Sequence, residues 1–367
     1  MAGIYIHIPF CQSRCIYCGF YSTTLLGLRQ KYVDALCSEL HKRVCPCCVK
    51  TIYLGGGTPS QLTIAQLCEL FDTLYKNNKV SPDAEVTIEV NPDDVTEAFA
   101  DGLRQLPVNR VSMGVQTFDD ARLQFLHRRH TSSQVVEAVN RLRAVGISNI
   151  SIDLMYGFPD ETLSYWQHDI TSALALDVEH LSAYCLTIEE GTPLSGLRNQ
   201  YAFPPEDLER SMYYTLIDHV EAASYEHYEI SNFAKRGYRS RHNSNYWNGT
   251  PYLGIGAAAH SYDGNTRSWN VSDIHQYIEA MSCGERLYEE EVIDADTQYN
   301  DLVTVALRTR EGLDLDSLQS RYRSYAIKNA RRFINDGLLS LTDNHLILTR
   351  KGLFVSDMIM SELIYIS

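Results

Sequence analysis

Cys11, Cys15 and Cys18 stand in the run CQSRCIYC. Three thiolates at that spacing can bind three irons of a four-iron cluster and leave the fourth iron open for chemistry. Thiolates are the usual ligands of iron–sulfur clusters, and a structural site ordinarily closes its shell with a fourth cysteine. Here Gly19 and Phe20 follow at once, so no fourth ligand lies nearby. A zinc site, which wants four ligands, and ordinary buried cysteines are the competing readings. Cys45, Cys47 and Cys48, in CPCC, form a second group. Adjacent Cys47 and Cys48 point different ways on any regular backbone and no fourth partner is evident, so this group reads as structural or incidental rather than as a second metal site.

The elements that must position the cysteines are legible as short apolar, β-branched runs: Ile4–Ile8, Thr51–Leu54, Glu85–Val90, Arg110–Val115, Ile147–Leu154 and His180–Leu186. Between them, Gln30–Arg43, Ile64–Tyr75, Ala121–Phe125, Ser133–Ala144 and Leu163–Leu176 carry apolar residues at helical spacing. Strands alternating with helices imply crossovers and a parallel sheet. Six such units make an incomplete α/β barrel if the sheet curves, and an open doubly wound sheet if it does not.

In parallel-sheet enzymes the functional groups gather at the C-terminal ends of the strands. The cysteine loop follows the first run, Gly55-Gly56-Gly57-Thr58-Pro59 the second, Asn91-Pro92 the third, Gln116-Thr117-Phe118 the fourth and Tyr156-Gly157-Phe158-Pro159 the fifth. One polar residue at a strand end commonly caps a helix. Several converging on one face define a ligand cleft.

Composition narrows the field. The chain has 367 residues, which leads one to expect two domains or one large domain with an appendage. Its net charge of −14 disfavours binding to nucleic acid or anionic lipid. The segment MAGIYIHIPFC has no basic start and is broken by His7 and Pro9, so it does not resemble a signal peptide. No apolar run is long enough to span a membrane. The ten cysteines then read as reduced thiols of a cytoplasmic protein. After Pro193 the alternation stops. A helix follows Pro204-Pro205, then a stretch rich in Tyr, Asn and Gly, then helices and two short strands flanking Asp343-Asn344. Ten Lys and Arg against fourteen Asp and Glu from Glu285 onward argue against DNA binding by that last part.

The C-x3-C-x2-C spacing after GIYIHIPF resembles the signature of the radical S-adenosylmethionine (radical SAM) superfamily. YIHIPFC, GGGTPS, EVNPDD, GVQTF with LHRRH, and SIDLMYGFPDET narrow the resemblance to the oxygen-independent coproporphyrinogen III oxidase-like family. HNSNYW, within YEISNFA…YLGIGAAAHSY, resembles the motif of that family's heme chaperone branch. The resemblance implies an α/β fold, an incomplete (β/α)6 radical SAM barrel followed by a small winged-helix-like α+β module. It divides the chain into a barrel over 1–200, a heme-motif extension over 201–283 and the module over 284–367.

The same resemblance implies a [4Fe-4S] cluster on Cys11, Cys15 and Cys18, with SAM contacted by Tyr5, the backbone around Tyr17, Gly56, Gly57, Thr58 and Glu89. Gln116, Arg128 and Asp153 match positions that hold a second SAM in the oxidase. His242 is the implied heme contact, with Tyr246 and Trp247 against the porphyrin. A heme-accepting protein such as a respiratory enzyme and an electron donor such as flavodoxin or ferredoxin are the implied partners. The catalytic alternative is oxidative decarboxylation of coproporphyrinogen III. Two departures bear on it: Phe20 stands where the oxidase has a further cysteine, and the stretch before Cys11 is shorter.

Overall fold

The computed structural model describes residues 2–366. The apolar runs form six strands: β1 (Ala2–Ile8), β2 (Val49–Gly56), β3 (Val80–Val90), β4 (Arg110–Gln116), β5 (Asn149–Tyr156) and β6 (His180–Cys185). They lie side by side in chain order, every neighbouring pair parallel. The connecting helices are α1 (Arg29–Lys42), α2 (Ile64–Asn77), α3 (Glu97–Leu103), α4 (Asp120–Phe125), α5 (Ser132–Ala144) and α6 (Leu163–Ala175). Threonine hydroxyls at Thr63, Thr96 and Thr162 accept from backbone amides in the first turns of α2, α3 and α6, each cap being worth ~1 kcal/mol.

Within the parallel barrel two elements depart most from the sequence expectation. β3 opens at Val80 rather than Glu85, because Pro82 and Asp83 look like a turn, yet Val80 still pairs with Val49 across a register shift. The short α3 lacks a clear apolar period, and its Gly102 is set by packing: a Cβ there would lie 2.3 Å from Ile64.

The sheet does not close on itself. After α7 (Pro193–Leu197) and α8 (Glu206–Ala222), antiparallel β7 (Glu226–Glu229) and β8 (Asn232–Ala234) prolong it beyond β6. Helix α9 (Arg241–Trp247) then leads to β9 (Tyr252–Ile255), which pairs in parallel with β1, and β10 (His260–Tyr262) and β11 (Thr266–Asn270) add antiparallel strands outside it. Helix α10 (Ile274–Cys283) precedes the edge strand β12 (Tyr288–Val292). The result is one sheet of twelve strands, ordered β12-β11-β10-β9-β1-β2-β3-β4-β5-β6-β8-β7, whose central parallel part is the incomplete barrel.

Side chains alternate across this sheet as the pleat requires. Ile4, Ile6, Ile8, Ile52, Leu54, Val111, Met113, Ile150 and Ile152 are fully buried in the main core. The alternate positions face a cavity inside the barrel: Tyr5, Tyr53, Glu89, Arg110, Ser112, Gln116, Ser151, Asp153 and Ser182. A polar inner face makes the barrel a ligand vessel rather than a packed core.

The remaining residues build a second core. Helices α11 (Ala295–Ala306), α12 (Ser320–Asn335), α13 (Arg350–Leu353) and α14 (Ser356–Leu363) enclose a sheet of β13 (Leu313–Asp314), β14 (Leu339–Thr342) and β15 (His345–Leu348), giving the winged-helix outline. The β14–β15 turn places Asp343 and Asn344 at φ 49° and 61°, the left-handed pair that such a hairpin demands. Among the described residues no helix is long and apolar enough to cross a membrane.

Candidate functional site

The cysteine loop is tied down on both sides of its thiols. The Cys11 amide donates to the Thr23 carbonyl at 2.9 Å, and Thr23 donates back to Pro9 at 2.7 Å. Between Cys15 and Tyr17, Ile16 turns into a small apolar cluster with Leu126, Met155, Phe158, Leu186 and Leu194. Backbone bonds from Ile16 to Leu126 and from Leu194 to Ile16 fix it there. Loops from four strand ends therefore hold one cysteine segment.

Cys11, Cys15 and Cys18 all open onto a cavity of about 880 Å³. Among the described residues no three His, Cys, Asp or Glu side chains converge on a point where a single metal ion could sit. A four-iron cluster needs no such convergence, because each thiolate binds a different iron, so the trio fits a cluster better than zinc. Thr58 Oγ1 lies 3.6 Å from Cys11 Sγ, and Arg128 Nη1 donates to Cys15 Sγ at 3.8 Å. Hydrogen bonds to sulfur are among the means by which proteins tune such centres. Another cysteine, Cys185, lines the same cavity from the end of β6. Its thiol faces Glu209 and is pushed up to about 12 by burial and by that carboxylate.

The glycine triplet is required by close approaches within the protein. A Cβ on Gly56, at φ 111°, would lie 2.4 Å from the His7 ring, and one on Gly57 would lie 2.6 Å from the Pro9 carbonyl carbon. His7 is consequently a packed group. Its Nε2 donates to the Tyr21 carbonyl at 3.0 Å, which leaves Nδ1 to accept from the Tyr5 hydroxyl at 3.0 Å. Burial depresses His7 to about 4, so the ring is neutral at physiological pH.

Glu89 accepts from Tyr53 Oη at 2.7 Å and from the Gly56 amide at 3.1 Å. Burial raises its carboxyl to about 7, with nearby Asp153 adding to the rise. Burial likewise raises Asp153 to about 6, against the opposing pull of a Ser182 hydrogen bond and of Arg110 and Arg128. Arg128 Nη2 donates to Asn91 Oδ1 at 2.8 Å and to the Gly114 carbonyl. Gln116, at φ 71°, ends β4 in a left-handed conformation that a non-glycine residue adopts only at a cost of ~1–3 kcal/mol.

Tyr5, Tyr17, Gly56, Gly57, Thr58, Glu89, Gln116, Arg128 and Asp153 thus all line the cavity that holds the cysteines. The sequence reading missed Arg110, which is 1% exposed on the same wall with Nε and Nη1 lacking any partner. Arg128 Nε is equally orphaned. Buried donors without partners are costly unless a ligand satisfies them, and both guanidiniums suit a ligand bearing a carboxylate. The signal for Arg110 is the alternation R-V-S-M-G-V-Q, which places it in register with Ser112, Gly114 and Gln116.

The heme-motif residues occupy the barrel floor. Glu85 accepts from the Arg241 and His242 amides at 3.0 and 2.9 Å, seating α9 against β3. His242, 1% exposed, bonds Thr51 Oγ1 through Nδ1 at 2.9 Å and Tyr246 Oη through Nε2 at 2.9 Å. It also stacks on Tyr53 at 5.2 Å between centroids. Burial and the neighbouring Arg110 charge hold it down near 3. Asn245 donates to the same Thr51 hydroxyl at 3.1 Å, and Trp247 packs against Tyr228.

Comparison with known proteins agrees with this arrangement. Residues 5–173 match the model of the radical SAM superfamily, and residues 293–355 match that of the HemN C-terminal domain. The chain is 37% identical over 330 residues to the heme chaperone HemW of Bacillus subtilis, covering 88% of this chain and 87% of that one. It is 34% identical over 374 residues to the heme chaperone HemW of Mycobacterium tuberculosis strain H37Rv, covering 99% and 94%. In fold it is similar to the coproporphyrinogen III oxidase HemN of Escherichia coli, described as a radical SAM enzyme, with a TM-score of 0.86 over 99% of this chain and 90% of that one at 24% identity.

Proposed function

The chain belongs to the radical SAM superfamily and, within it, to the family of the heme chaperone HemW, and from that premise we propose that it binds heme and passes it to an acceptor protein. Membership of the superfamily implies a [4Fe-4S] cluster and SAM. The observation that carries the reading is a single cavity holding three cysteines beside an inner wall of Glu89, Arg110, Arg128 and Asp153, in a chain alike to the chaperones over most of its length.

In this reading Cys11, Cys15 and Cys18 hold the cluster, which when reduced supplies the electron for cleaving SAM. Tyr5, the backbone at Tyr17, Gly56, Gly57, Thr58 and Glu89 hold SAM beside it. Glu89 is oriented for this by Tyr53 and Gly56. Gln116, Arg128 and Asp153 extend the wall toward a second ligand of the same class. The acceptor is a heme-requiring respiratory enzyme, and the electron donor is a flavodoxin or ferredoxin.

The resemblance nominates His242 for heme. With both ring nitrogens committed, ligation by His242 belongs to an opened floor in which Tyr246 has released Nε2. The test of the whole reading is an anaerobic assay that follows heme uptake and coproporphyrinogen conversion side by side. Stoichiometric heme binding without protoporphyrinogen supports the chaperone. SAM-dependent product formation without heme uptake replaces it with the oxidase.

A further inference from the structure

Three histidines, His7, His180 and His260, stand on the inner face of the sheet, and a fourth, His242, is set against it by α9. His7, His180 and His242 are buried, and both nitrogens of each ring are engaged: His7 with Tyr5 and Tyr21, His180 with Ser151 and Tyr228, His242 with Thr51 and Tyr246. His260, at the start of β10, is exposed, and among the described residues its ring makes no hydrogen bond. It lies outside the wall of the cysteine cavity. The inner face continues to it across β9, where Tyr252 pairs with both Gly3 and Tyr262.

The ring is also oriented. His260 pairs across strands with Trp269 of β11, and the two rings stack at 5.6 Å with their planes 24° apart. An imidazole that ligates heme iron stands on edge over the macrocycle, so a ring stacked on its face fixes its rotation and leaves the nitrogen free. Tyr252 and Tyr262, half-buried beside it with centroids 6.4 Å apart, offer an amphipathic surface to a porphyrin edge. Partial burial, with Arg267 nearby, lowers the affinity of His260 for a proton, which keeps the lone pair that a metal requires.

We infer that His260 is the heme-iron ligand in the closed-floor state, with Trp269 as its positioning residue and Tyr252 and Tyr262 bordering the docked porphyrin. The inference rests on the heme reading above and deepens it by naming the site. Arg267 is already paired with Asp301 at 2.5 Å and Glu291 at 3.8 Å, and Glu289 faces Trp269 from β12. The anionic propionates therefore stay in water. One axial ligand, with the neighbouring Arg267 already paired, makes a site that releases its cargo, as delivery to another protein requires.

The test is titration of the anaerobically reconstituted protein with hemin, followed by the Soret band and by magnetic circular dichroism for axial histidine, in wild type, His260→Ala, His242→Ala and Trp269→Ala. The expected result is at least tenfold weaker binding and loss of the histidine signature in His260→Ala, with the signature regained on adding free imidazole. Trp269→Ala retains the signature at reduced affinity. A His260→Ala protein that binds hemin like wild type overturns the inference, and loss confined to His242→Ala moves the ligand to the floor. Far-UV circular dichroism and iron content of each variant separate these outcomes from misfolding. A wild type that takes up no hemin overturns the heme reading itself.

Discussion

Glu89 has a pH signature that distinguishes its burial from its use. Its carboxyl rises from the usual 4.5 to about 7 in the folded protein, so between those values the native state binds the proton that the unfolded chain has lost. Stability must then fall as pH climbs through that window, by ~3 kcal/mol at most for this group. In the ligand-free protein Glu89→Gln should flatten the decline, with melting temperature above wild type at pH 8 and little changed at pH 4.5, as read by calorimetry. The same variant should bind SAM at least tenfold more weakly, measured by equilibrium dialysis. At the cluster, changing any one of Cys11, Cys15 or Cys18 to Ala should abolish the iron–sulfur absorption and the bound iron while leaving the far-UV spectrum intact. Equal iron content in the variants, or zinc in wild type, would contradict the cluster assignment.

At the level of elements, the glycine loop is a spacer between β2 and the cysteine segment. Gly57→Ala would drive a Cβ to 2.6 Å from Pro9, and Pro9 anchors Thr23, which anchors Cys11. The expected outcome is poor cluster retention in a folded protein, read as iron per chain after reconstitution. Much at this scale was legible from sequence. The six parallel strands carry apolar runs dense enough to declare themselves, and four of the five strand-end motifs line one cavity as expected, while the fifth, Tyr156 to Pro159, stays out of it and packs Phe158 behind the cysteine loop. Arg110 and Tyr53 were not singled out because they lie inside strands, where only the pleat reveals that they share a face with Gln116 and Glu89. Strands β7 to β11 were not anticipated either. They are three to five residues long, too short for a period, and their pairing partners are remote in sequence. HNSNYW was read as an aromatic heme contact, and its packing against Thr51 and Glu85 follows from tertiary neighbours that no local pattern encodes.

For the whole molecule, the C-terminal module is fastened to the barrel through β7. Arg308 reaches the fully buried Glu229 carboxylate at 2.7 Å, Arg310 and Arg239 share Glu226, and the Ile230 amide donates to the Arg308 carbonyl. Removing Arg308, itself partly exposed, leaves the buried Glu229 carboxylate with only its Ser231 and Asn232 partners, at ~1–3 kcal/mol. Arg308→Ala should accordingly split the calorimetric transition, the module melting ahead of the barrel, whereas Arg323→Ala, whose pair with Asp316 is exposed, should leave a single transition near the wild-type temperature.

β1 is flanked by β2 on one side and by β9 on the other, so that Gly3 pairs with both Thr51 and Tyr252. On the ribosome, where synthesis runs at ~5–20 residues per second, the strand that leads into the cysteine loop waits on the order of ten seconds or more for its second neighbour. The thiols are thus made long before the scaffold that presents them. A nascent chain stalled before Tyr252 emerges therefore leaves β1, the strand that leads into the thiols, as an unpaired edge of the sheet.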